Sequence, residues 1–309
     1  MLMVILAFLV LQGIMYLLDI PFKNKIKNST TVEESLKARK SLRIFRRFWS
    51  ILLIIAFTIG IIALDISVGA EDSLGRDIGM IIAFAIMSGW SRLRGNVQAN
   101  SKDEYLSKHK SKGYVLYLRA FESDFYSKDP KAYSFESVLN NSLQKTGMNV
   151  CAIGMTKELD APYGATRVYV SDKSWQSDVK ELMQYADSIF ILVSDRQSCI
   201  WEITQSSEML RKTCFIIDNK ERYDNMRNEL REHIIFPEYD ELSQKSAEKE
   251  DLGESKKSAD DELKELLNDS EPMLGLVLQS DGFEAIMIDD VDVFVKEVFR
   301  AEHCNKQEK

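Results

Sequence analysis

The sequence predicts an α/β protein in which N-terminal transmembrane helices are followed by a doubly wound parallel sheet. Two observations lead to this prediction. The first 94 residues hold long apolar runs separated by charged connections, whereas the rest of the chain alternates short apolar runs with amphipathic helical stretches. Strands that alternate with helices of about 10 to 15 residues are typical of βαβ units, whose right-handed crossovers place helices on both faces of a sheet.

Three apolar runs form the predicted membrane anchor, at about 2–20, 48–66 and 74–92. A helix needs about 20 mainly apolar residues to cross the hydrocarbon core of a bilayer. The first two runs reach this length, and the third reaches it only with its flanking residues. None of the three carries a charged residue deep in its apolar stretch, and such charges mark transport paths. The runs therefore indicate an anchor rather than a transporter or a channel.

Charge between the runs predicts the orientation of the chain. From Phe22 to Phe48 there are nine basic and two acidic residues. The connection from Asp65 to Asp77 carries four acidic residues and one arginine, and Arg92 and Arg94 follow the third run. Short loops rich in Lys and Arg stay in the cytoplasm. We therefore expect an N-terminus outside the cell, three crossings of the cell membrane and a cytoplasmic C-terminal domain.

Two other interpretations of the apolar runs remain open. The first run could be a cleaved signal peptide, although it has neither a basic start nor an A-x-A cleavage site. The second and third runs could form a buried helical hairpin of a soluble protein, although no charged residue occurs from Ser50 to Leu64. A membrane anchor, with the lipid bilayer as its partner, is the prediction that we carry forward.

The rest of the chain divides into a connector and one domain. Residues 95–112 form a polar, basic connector, and residues 113–303 are numerous enough for one sizeable α/β domain. An acidic segment at 240–271 interrupts this domain and holds twelve acidic and five basic residues, which account for most of the net charge of −8. Because it has few apolar residues, we expect a solvated insertion there.

The predicted elements of the domain alternate along the chain. The predicted strands are Tyr114–Leu118, Asn149–Ile153, Arg167–Val170, Ser188–Val193 and Thr213–Ile217. The predicted helices are Phe135–Lys145, Trp175–Ala186, Trp201–Arg211, Glu221–Glu232 and Val291–Arg300. Two further apolar runs, Leu274–Leu278 and Phe283–Ile288, predict either an edge hairpin on the same sheet or a lone strand with an irregular segment.

Polar and aromatic side chains follow the strands at one edge of this sheet. Doubly wound sheets bind their ligands in a crevice at the carboxyl ends of the strands. The loops that leave those ends, and the helix that follows the fourth strand, bring charged, hydroxyl and indole groups to this edge. We expect the ligand to be bound by Arg119, Asp124, Arg167, Ser194, Trp201 and Glu202.

Glu202 is the predicted catalytic residue. We expect it in the first turn of a helix, directly after Trp201 and at the mouth of the crevice. A carboxylate there can hydrogen-bond sugar hydroxyls and stabilise the oxocarbenium-like centre that forms as a glycosidic bond breaks. The alternative is an acid that only complements the positive end of the helix dipole.

The other candidates have binding roles and structural alternatives. Arg119 and Arg167 can each pair with a phosphate through the planar guanidinium, and Asp124 can hydrogen-bond a ribose. Alternatively, Arg119 forms a structural ion pair with Asp124 or Glu122, and a structural ion pair is likewise the alternative for Arg167. Trp201 can stack on a base or a nicotinamide ring, or it can pack against the sheet.

Several kinds of chemistry have no motif in this sequence. GxGxxG and GxxxxGK[ST] are both absent, so neither Rossmann dinucleotide binding nor P-loop chemistry is predicted. The four cysteines and three histidines show no metal-ligand spacing, which predicts reduced thiols and no metal site. No basic patch interleaved with aromatic residues follows the anchor, so we do not expect nucleic acid as a partner.

Three segments resemble a TIR-like domain, the flavodoxin-like fold of Toll/interleukin-receptor domains and their bacterial relatives. They are YLRAFESD at 117–124, ADSIFILVS at 186–194 and SCIWE at 198–202, and the resemblance covers about residues 113–235. In this family an S-x-x-W segment precedes a glutamate that cleaves NAD at its nicotinamide bond in the enzymatic members.

Ser198 and Trp201 match the spacing of that segment, and Glu202 follows the tryptophan directly. The family usually places its glutamate a few residues later, where this chain has Thr204 and Gln205. The resemblance implies that a TIR-like domain of a bacterial membrane-anchored protein binds, and in the enzymatic case cleaves, NAD or a related nucleotide. NAD would then be a substrate, and no cofactor would be bound permanently.

Two other functions remain open under the same resemblance. The first is a non-catalytic membrane scaffold that acts through self-association, as a homo-oligomer, or through docking of a partner. The second is a sensor that binds a nucleotide without cleaving it.

Overall fold

The computed structural model describes residues 2–68, 99–119, 135–158, 164–244, 273–279, 282–288 and 290–307. The chain divides into two compact units, one made of residues 1–99 with 156–160 and the other of residues 100–155 with 161–309. The predicted membrane segment at 74–92, the candidate Asp124 and most of the predicted acidic insertion at 240–271 lie outside the described residues.

Two long helices form most of the described part of the first unit. Helix α1 spans Leu2–Lys27 and helix α2 spans Val32–Val68, so they contain the predicted segments at 2–20 and 48–66. The Thr31 hydroxyl accepts a hydrogen bond from the Glu34 N–H at 3.2 Å and so satisfies one backbone donor at the start of α2. Among the described residues, no helix has both the length and the apolar character that crossing a membrane requires.

Helices α1 and α2 pack against each other near the turn that joins them. Ile26, Ala38 and Leu42 form a small buried cluster, and Phe22 packs against it. Farther from the turn, Arg46 Nη2 donates to Asp19 Oδ2 at 2.6 Å. An apolar cluster and a partly buried ion pair therefore hold the two helices together.

A sheet of eight strands forms the centre of the second unit. The strands are β1 Ala99–Ser101, β2 Val115–Leu118, β3 Val150–Met155, β4 Thr166–Val170, β5 Ser188–Leu192, β6 Thr213–Ile217, β7 Leu274–Gln279 and β8 Gly282–Met287. Their order across the sheet is β1-β4-β3-β2-β5-β6-β7-β8. The pairs from β4 to β6 are parallel, and the pairs β6–β7 and β7–β8 are antiparallel. The predicted α/β class with a mostly parallel sheet is confirmed.

Helices cover both faces of this sheet. In chain order they are α3 Lys102–His109, α4 Phe135–Lys145, α5 Trp175–Tyr185, α6 Gln197–Ser206, α7 Lys220–Leu230 and α8 Val291–Gln307, with a 3₁₀ helix at Ser207–Lys212. Helices α4 and α8 bury side chains on one face, and α3, α5, α6 and α7 bury side chains on the other. Because both faces are covered, the parallel strands are continuous apolar runs, which explains why the sequence predicts them well.

Part of the predicted connector at 95–112 has regular structure. Strand β1 and helix α3 both lie within it. The Ser101 hydroxyl accepts a hydrogen bond from the Glu104 N–H at 3.2 Å and caps α3. Tyr105 and Leu106 are buried in the apolar cluster on that face of the sheet. The sequence does not predict this helix, because only one narrow side of it is buried and most of its residues are therefore polar.

The last two apolar runs form the edge hairpin, which is one of the two alternatives that the sequence leaves open. Strand β7 pairs with β6 and β8, and α8 packs closely over it. A Cβ atom at Gly275 in β7 would stand 2.1 Å from the Phe294 ring of α8. Glycine therefore permits the close approach of this helix to the sheet.

The strand order places a switch point between β2 and β5. Counted from β2, the five parallel strands follow the order 3-2-1-4-5, because β4 lies outside β3. This order begins the doubly wound order 3-2-1-4-5-6 and differs from the expected flavodoxin-like order 2-1-3-4-5, in which only one strand lies on that side of the first. The chain builds away from β2 on one side and away from β5 on the other. Open α/β sheets bind ligands at such a point, outside the carboxyl ends of the strands.

Candidate functional site

The carboxyl ends of β2 and β5 lie side by side at the switch point. Leu118 at the end of β2 pairs with Ile191 near the end of β5. Arg119 directly follows the end of β2, and Val193 and Ser194 directly follow the end of β5, so these residues lie at the same level of the sheet. Two of the predicted site residues, Arg119 and Ser194, are thus brought to the same edge of the sheet.

Arg119 and Arg167 share one buried carboxylate, that of Glu136. Arg119 Nε donates to Glu136 Oε2 at 3.0 Å, and Arg167 Nη2 donates to the same oxygen at 2.8 Å. The exposed fractions of Arg119, Glu136 and Arg167 are 6%, 2% and 0%. Arg119 forms a structural ion pair, as one of the sequence alternatives expects, and Glu136 is a partner among the described residues. The expected partners Glu122 and Asp124 lie outside the described residues.

The backbone before β4 completes the surroundings of Glu136. The Ala165 N–H donates to Glu136 Oε1 at 3.2 Å. The neighbouring Gly164 has a φ of +138°, and a Cβ atom there would stand 3.1 Å from the Glu136 carbonyl oxygen. Because glycine adopts this conformation without strain, the loop can approach α4 closely. Glu136 therefore ties together the end of β2, the start of α4 and the loop that enters β4.

Two donor groups of Arg167 have no acceptor among the described residues. They are its Nε and Nη1 atoms, and both are buried. A buried charged donor that lacks an acceptor costs free energy, and a charge-assisted hydrogen bond to an anion would satisfy it.

Glu202 lies in the second turn of α6, and the prediction that it lies in the first turn is wrong. The helix begins at Gln197, four residues before the predicted start at Trp201. Cys199, Ile200 and Ile203 are buried on one side of α6. This apolar spacing extends the helix towards its N-terminus, because residues three and four apart share one helix face.

The surroundings of Glu202 favour its protonated form. The residue is 6% exposed. Burial raises the pKa of the Glu202 carboxyl to about 8, and the nearby Arg119 guanidinium opposes this rise. Glu202 is therefore mainly protonated at neutral pH, and about half of it is ionised near pH 8.

Trp201, on the same helix, packs against the protein. It is half-buried, and its ring lies 4.7 Å from the ring of Trp175 in an edge-to-face arrangement of 68°. Both rings pack against the apolar cluster on that face of the sheet. Packing is one of the two roles that the sequence leaves open for Trp201. Stacking on a ligand stays a prediction.

Ser194 and Cys199 shape the turn from β5 into α6. The Ser194 hydroxyl accepts a hydrogen bond from the Arg196 N–H at 3.3 Å. The Cys199 thiol lies 3.5 Å from the Leu192 carbonyl oxygen. Burial raises the pKa of this thiol above its usual range, so it stays protonated at neutral pH.

The structure thus brings Arg119, Arg167 and Glu136 into contact and places Glu202 within electrostatic reach of Arg119. Sequence reasoning missed Glu136, and its only signal was an acidic residue in the first turn of a predicted helix. Among the residues that the structure describes, no group of three or more His, Cys, Asp or Glu side chains could hold a metal ion.

Comparison of the chain with protein-family models, with curated proteins and with solved structures gave no match. Function is therefore inferred from the residues of this chain and their surroundings.

Proposed function

We propose that this protein is a membrane-anchored, TIR-like effector that binds a nucleotide between the carboxyl ends of β2 and β5 and cleaves its N-glycosidic bond. NAD is the first substrate to test. The observation that supports this proposal most is the position of Glu202. It is a buried carboxyl group beside the Arg119 charge, at the switch point where open α/β sheets bind ligands.

Glu202 acts in its ionised form in this mechanism. The carboxylate hydrogen-bonds the ribose hydroxyls and stabilises the positive charge that develops on the sugar as the bond to nicotinamide breaks. Nicotinamide is a pyridinium cation in NAD and leaves as a neutral base, so its departure needs no proton. Water then adds to the anomeric carbon of the ribose and releases a proton, which completes the hydrolysis. Because the pKa of Glu202 is about 8, only a minor fraction of the protein is ionised at pH 7. The rate is therefore expected to rise with pH up to about 8.

The other predicted residues bind the nucleotide around this carboxylate. Arg119 and Arg167 contact phosphate oxygens, and the two unsatisfied donors of Arg167 support an anionic partner there. Asp124 and Ser194 contact ribose hydroxyls. Trp201 forms a wall on which an aromatic ring can stack.

The TIR-like character of the domain is supported by the S-x-x-W spacing of Ser198 and Trp201. The strand order 3-2-1-4-5 supports a doubly wound sheet with a switch point, and it does not favour the flavodoxin-like order.

Membrane anchoring by the N-terminal segments, with a cytoplasmic C-terminal domain, is part of the same proposal. Its support is an exposed apolar stripe on α2, whose Ile44 and Phe48 are 69% and 61% exposed. Spacings of four, three and four residues place the members of this stripe on one side of the helix: Ile44, Phe48, Ile51 and Ile55. Lys40 and Arg47 occupy the same side, as is usual at the level of lipid headgroups.

The enzymatic activity is tested by mixing the purified full-length protein with NAD and measuring released nicotinamide by chromatography. Glu202→Gln keeps the size of the side chain and removes the charge. We expect it to lower the rate by about 100-fold or more. Glu208→Gln is the matched control, because Glu208 is exposed and lies six residues after Glu202. Absence of nicotinamide release by the wild type, whether dispersed or clustered, would exclude NAD cleavage.

A non-catalytic scaffold is the second candidate function. It is favoured by the contacts that the site residues already make, since Arg119 and Arg167 bind Glu136 and Trp201 packs on Trp175. This candidate predicts that Glu202→Gln assembles as the wild type does, which light scattering over a range of protein concentrations can measure. Calorimetry with a panel of nucleotides separates it from a sensor that binds without cleaving.

A further inference from the structure

We propose that Lys27 and Lys37 bind the phosphate groups of anionic phospholipids, so that the N-terminal helices select a negatively charged bilayer surface. The inference rests on the membrane anchoring proposed above, and it adds the class of lipid that the anchor recognises. The observations behind it come from α1 and α2, which belong to the same compact unit.

Helices α1 and α2 expose apolar side chains at the same level. Tyr16 and Ile20 are exposed on α1, and Ile44 is exposed on α2. The Arg46 guanidinium binds the Asp19 carboxylate and so joins the two helices beside these residues. The exposed apolar residues of both helices therefore lie at one depth along the helix pair, which we call the apolar level.

A lysine follows the apolar level on each helix. Lys27 lies seven residues after Ile20, and Lys37 lies seven residues before Ile44. Seven residues are almost two helical turns, so each lysine shares a side of its helix with that apolar residue, about 10 Å farther along the axis. The helices are antiparallel and are joined by a turn at 28–31, so both lysines lie nearer the turn. Both are exposed.

Other basic residues of this region contact the protein itself. Arg39 is buried, and its Nη2 atom donates to the Thr156 carbonyl oxygen at 3.1 Å. Arg46 is held by its ion pair with α1. Lys27 and Lys37 instead present their ammonium groups at the surface, where a partner from outside the chain can contact them.

Acidic residues do not cancel this positive charge. From Phe22 to Phe48 the only acids are Glu33 and Glu34, against nine basic residues. Glu33 lies one turn before Lys37, which places it farther from the apolar level. Glu34 Oε2 accepts hydrogen bonds from the N–H and the hydroxyl of Thr30, both at 3.1 Å. The surface beside the turn therefore has a positive charge that complements an anionic leaflet.

The distance from the apolar level to the lysines fits the polar layer of a bilayer. This layer is about 5–7 Å thick on each side of the hydrocarbon core. A lysine carries its ammonium group on a flexible four-carbon stem, which can extend several ångströms along the helix towards the phosphates. Each lysine near an anionic leaflet strengthens binding by a factor of about five, whereas a zwitterionic surface gives no such net attraction.

The experiment compares two lipid probes around the full-length protein. The protein is reconstituted into phosphatidylcholine vesicles that contain a trace of spin-labelled phosphatidylglycerol or spin-labelled phosphatidylcholine. Electron spin resonance gives the fraction of each probe that is immobilised at the protein surface. The ratio of the two fractions measures the preference for the anionic lipid.

We expect a ratio of about three in favour of phosphatidylglycerol for the wild type, because the signal averages over all lipids that touch the protein. The double variant Lys27→Gln/Lys37→Gln should lower the ratio to about half or less. Lys173→Gln/Lys180→Gln is the matched control, since it removes the same charge from exposed lysines of the second unit, and it should leave the ratio unchanged. Circular dichroism verifies that each variant keeps its helices.

A wild-type ratio near one, or an unchanged ratio in the double variant, would overturn the proposal. The acidic segment at 240–271 is the alternative occupant of these lysines. In that case the wild-type ratio would be near one and would rise when residues 245–268 are deleted, which also contradicts the proposal. Equal immobilisation of both probes leaves membrane anchoring intact, whereas absence of any immobilised probe would refute the anchoring and this inference together. The two failures can therefore be distinguished.

Discussion

Replacing Glu202 with glutamine should stabilise the protein at alkaline pH relative to the wild type. The folded state raises the pKa of Glu202 from 4.5 to about 8. Between these values the folded protein keeps a proton that the unfolded chain has lost. Because the unfolded state then binds fewer protons, the stability of the wild type falls as pH rises through this interval. A glutamine side chain does not ionise, so the free energy of unfolding of Glu202→Gln does not fall with pH for this reason.

The size of the effect follows from the shift in pKa. Each pH unit within the interval changes the free energy of unfolding by about 1.4 kcal/mol, so the full shift corresponds to about 5 kcal/mol. Relaxation and water entry around a buried charge reduce such values, and we expect a change of about 3 kcal/mol between pH 5 and pH 8. For a domain of this size, that change corresponds to about 6–12 °C in Tm.

Thermal unfolding of the two full-length proteins at a series of pH values tests this expectation. The Tm difference between Glu202→Gln and the wild type should grow in favour of the variant from pH 5 to pH 8. Glu208→Gln, at an exposed position, should show no such trend. A Tm difference for Glu202→Gln that is the same at every pH would refute the reasoning, because it would mean that burial does not raise the pKa of Glu202.

Three further predictions concern the loop beside Glu136, the N-terminal helices and the reaction. Gly164→Ala should cost about 1–3 kcal/mol more than Gly147→Ala in urea unfolding, because both glycines have positive φ but only Gly164 lies against Glu136. Phe48→Asp should reduce sedimentation of the full-length protein with phosphatidylcholine–phosphatidylglycerol vesicles, whereas Ser41→Asp adds the same charge at an exposed polar position and should not. Nicotinamide release should rise about tenfold per pH unit below pH 8 and then level off, and a rate independent of pH would argue against Glu202 as the ionised group.

Most of the sheet could be predicted from the sequence because its signal is local. Leu116, Ile189 and Phe215 lie in strands whose two faces are both covered, so each strand is an uninterrupted apolar run. The boundaries of α6 were less predictable. Trp201 suggested a helix start, although the buried Cys199 and Ile200 already belong to the first turn and place Glu202 one turn deeper.

Only part of the candidate site can be predicted from the sequence. Arg119, Ser194 and Glu202 could be assigned to one edge, because Arg119 and Ser194 follow neighbouring strands and Glu202 lies in the helix that follows β5. The ion pair between Arg119 and Glu136 could not be assigned, since Glu122 and Asp124 are closer to Arg119 in sequence. Ion pairs depend on distances in space, and these are not a function of sequence separation.

The sequence by itself determines the α/β class, the parallel strands and the apolar N-terminal segments, because these depend on the spacing of apolar residues along short stretches of chain. Only the tertiary structure decides that Arg119 and Arg167 share Glu136 and that Glu202 is buried within electrostatic reach of Arg119. The physical reason is the strand order. Placing β3 and β4 on one side of β2 and β5 on the other brings Arg119 and Glu202 to one edge, where burial and not sequence position sets the protonation of Glu202.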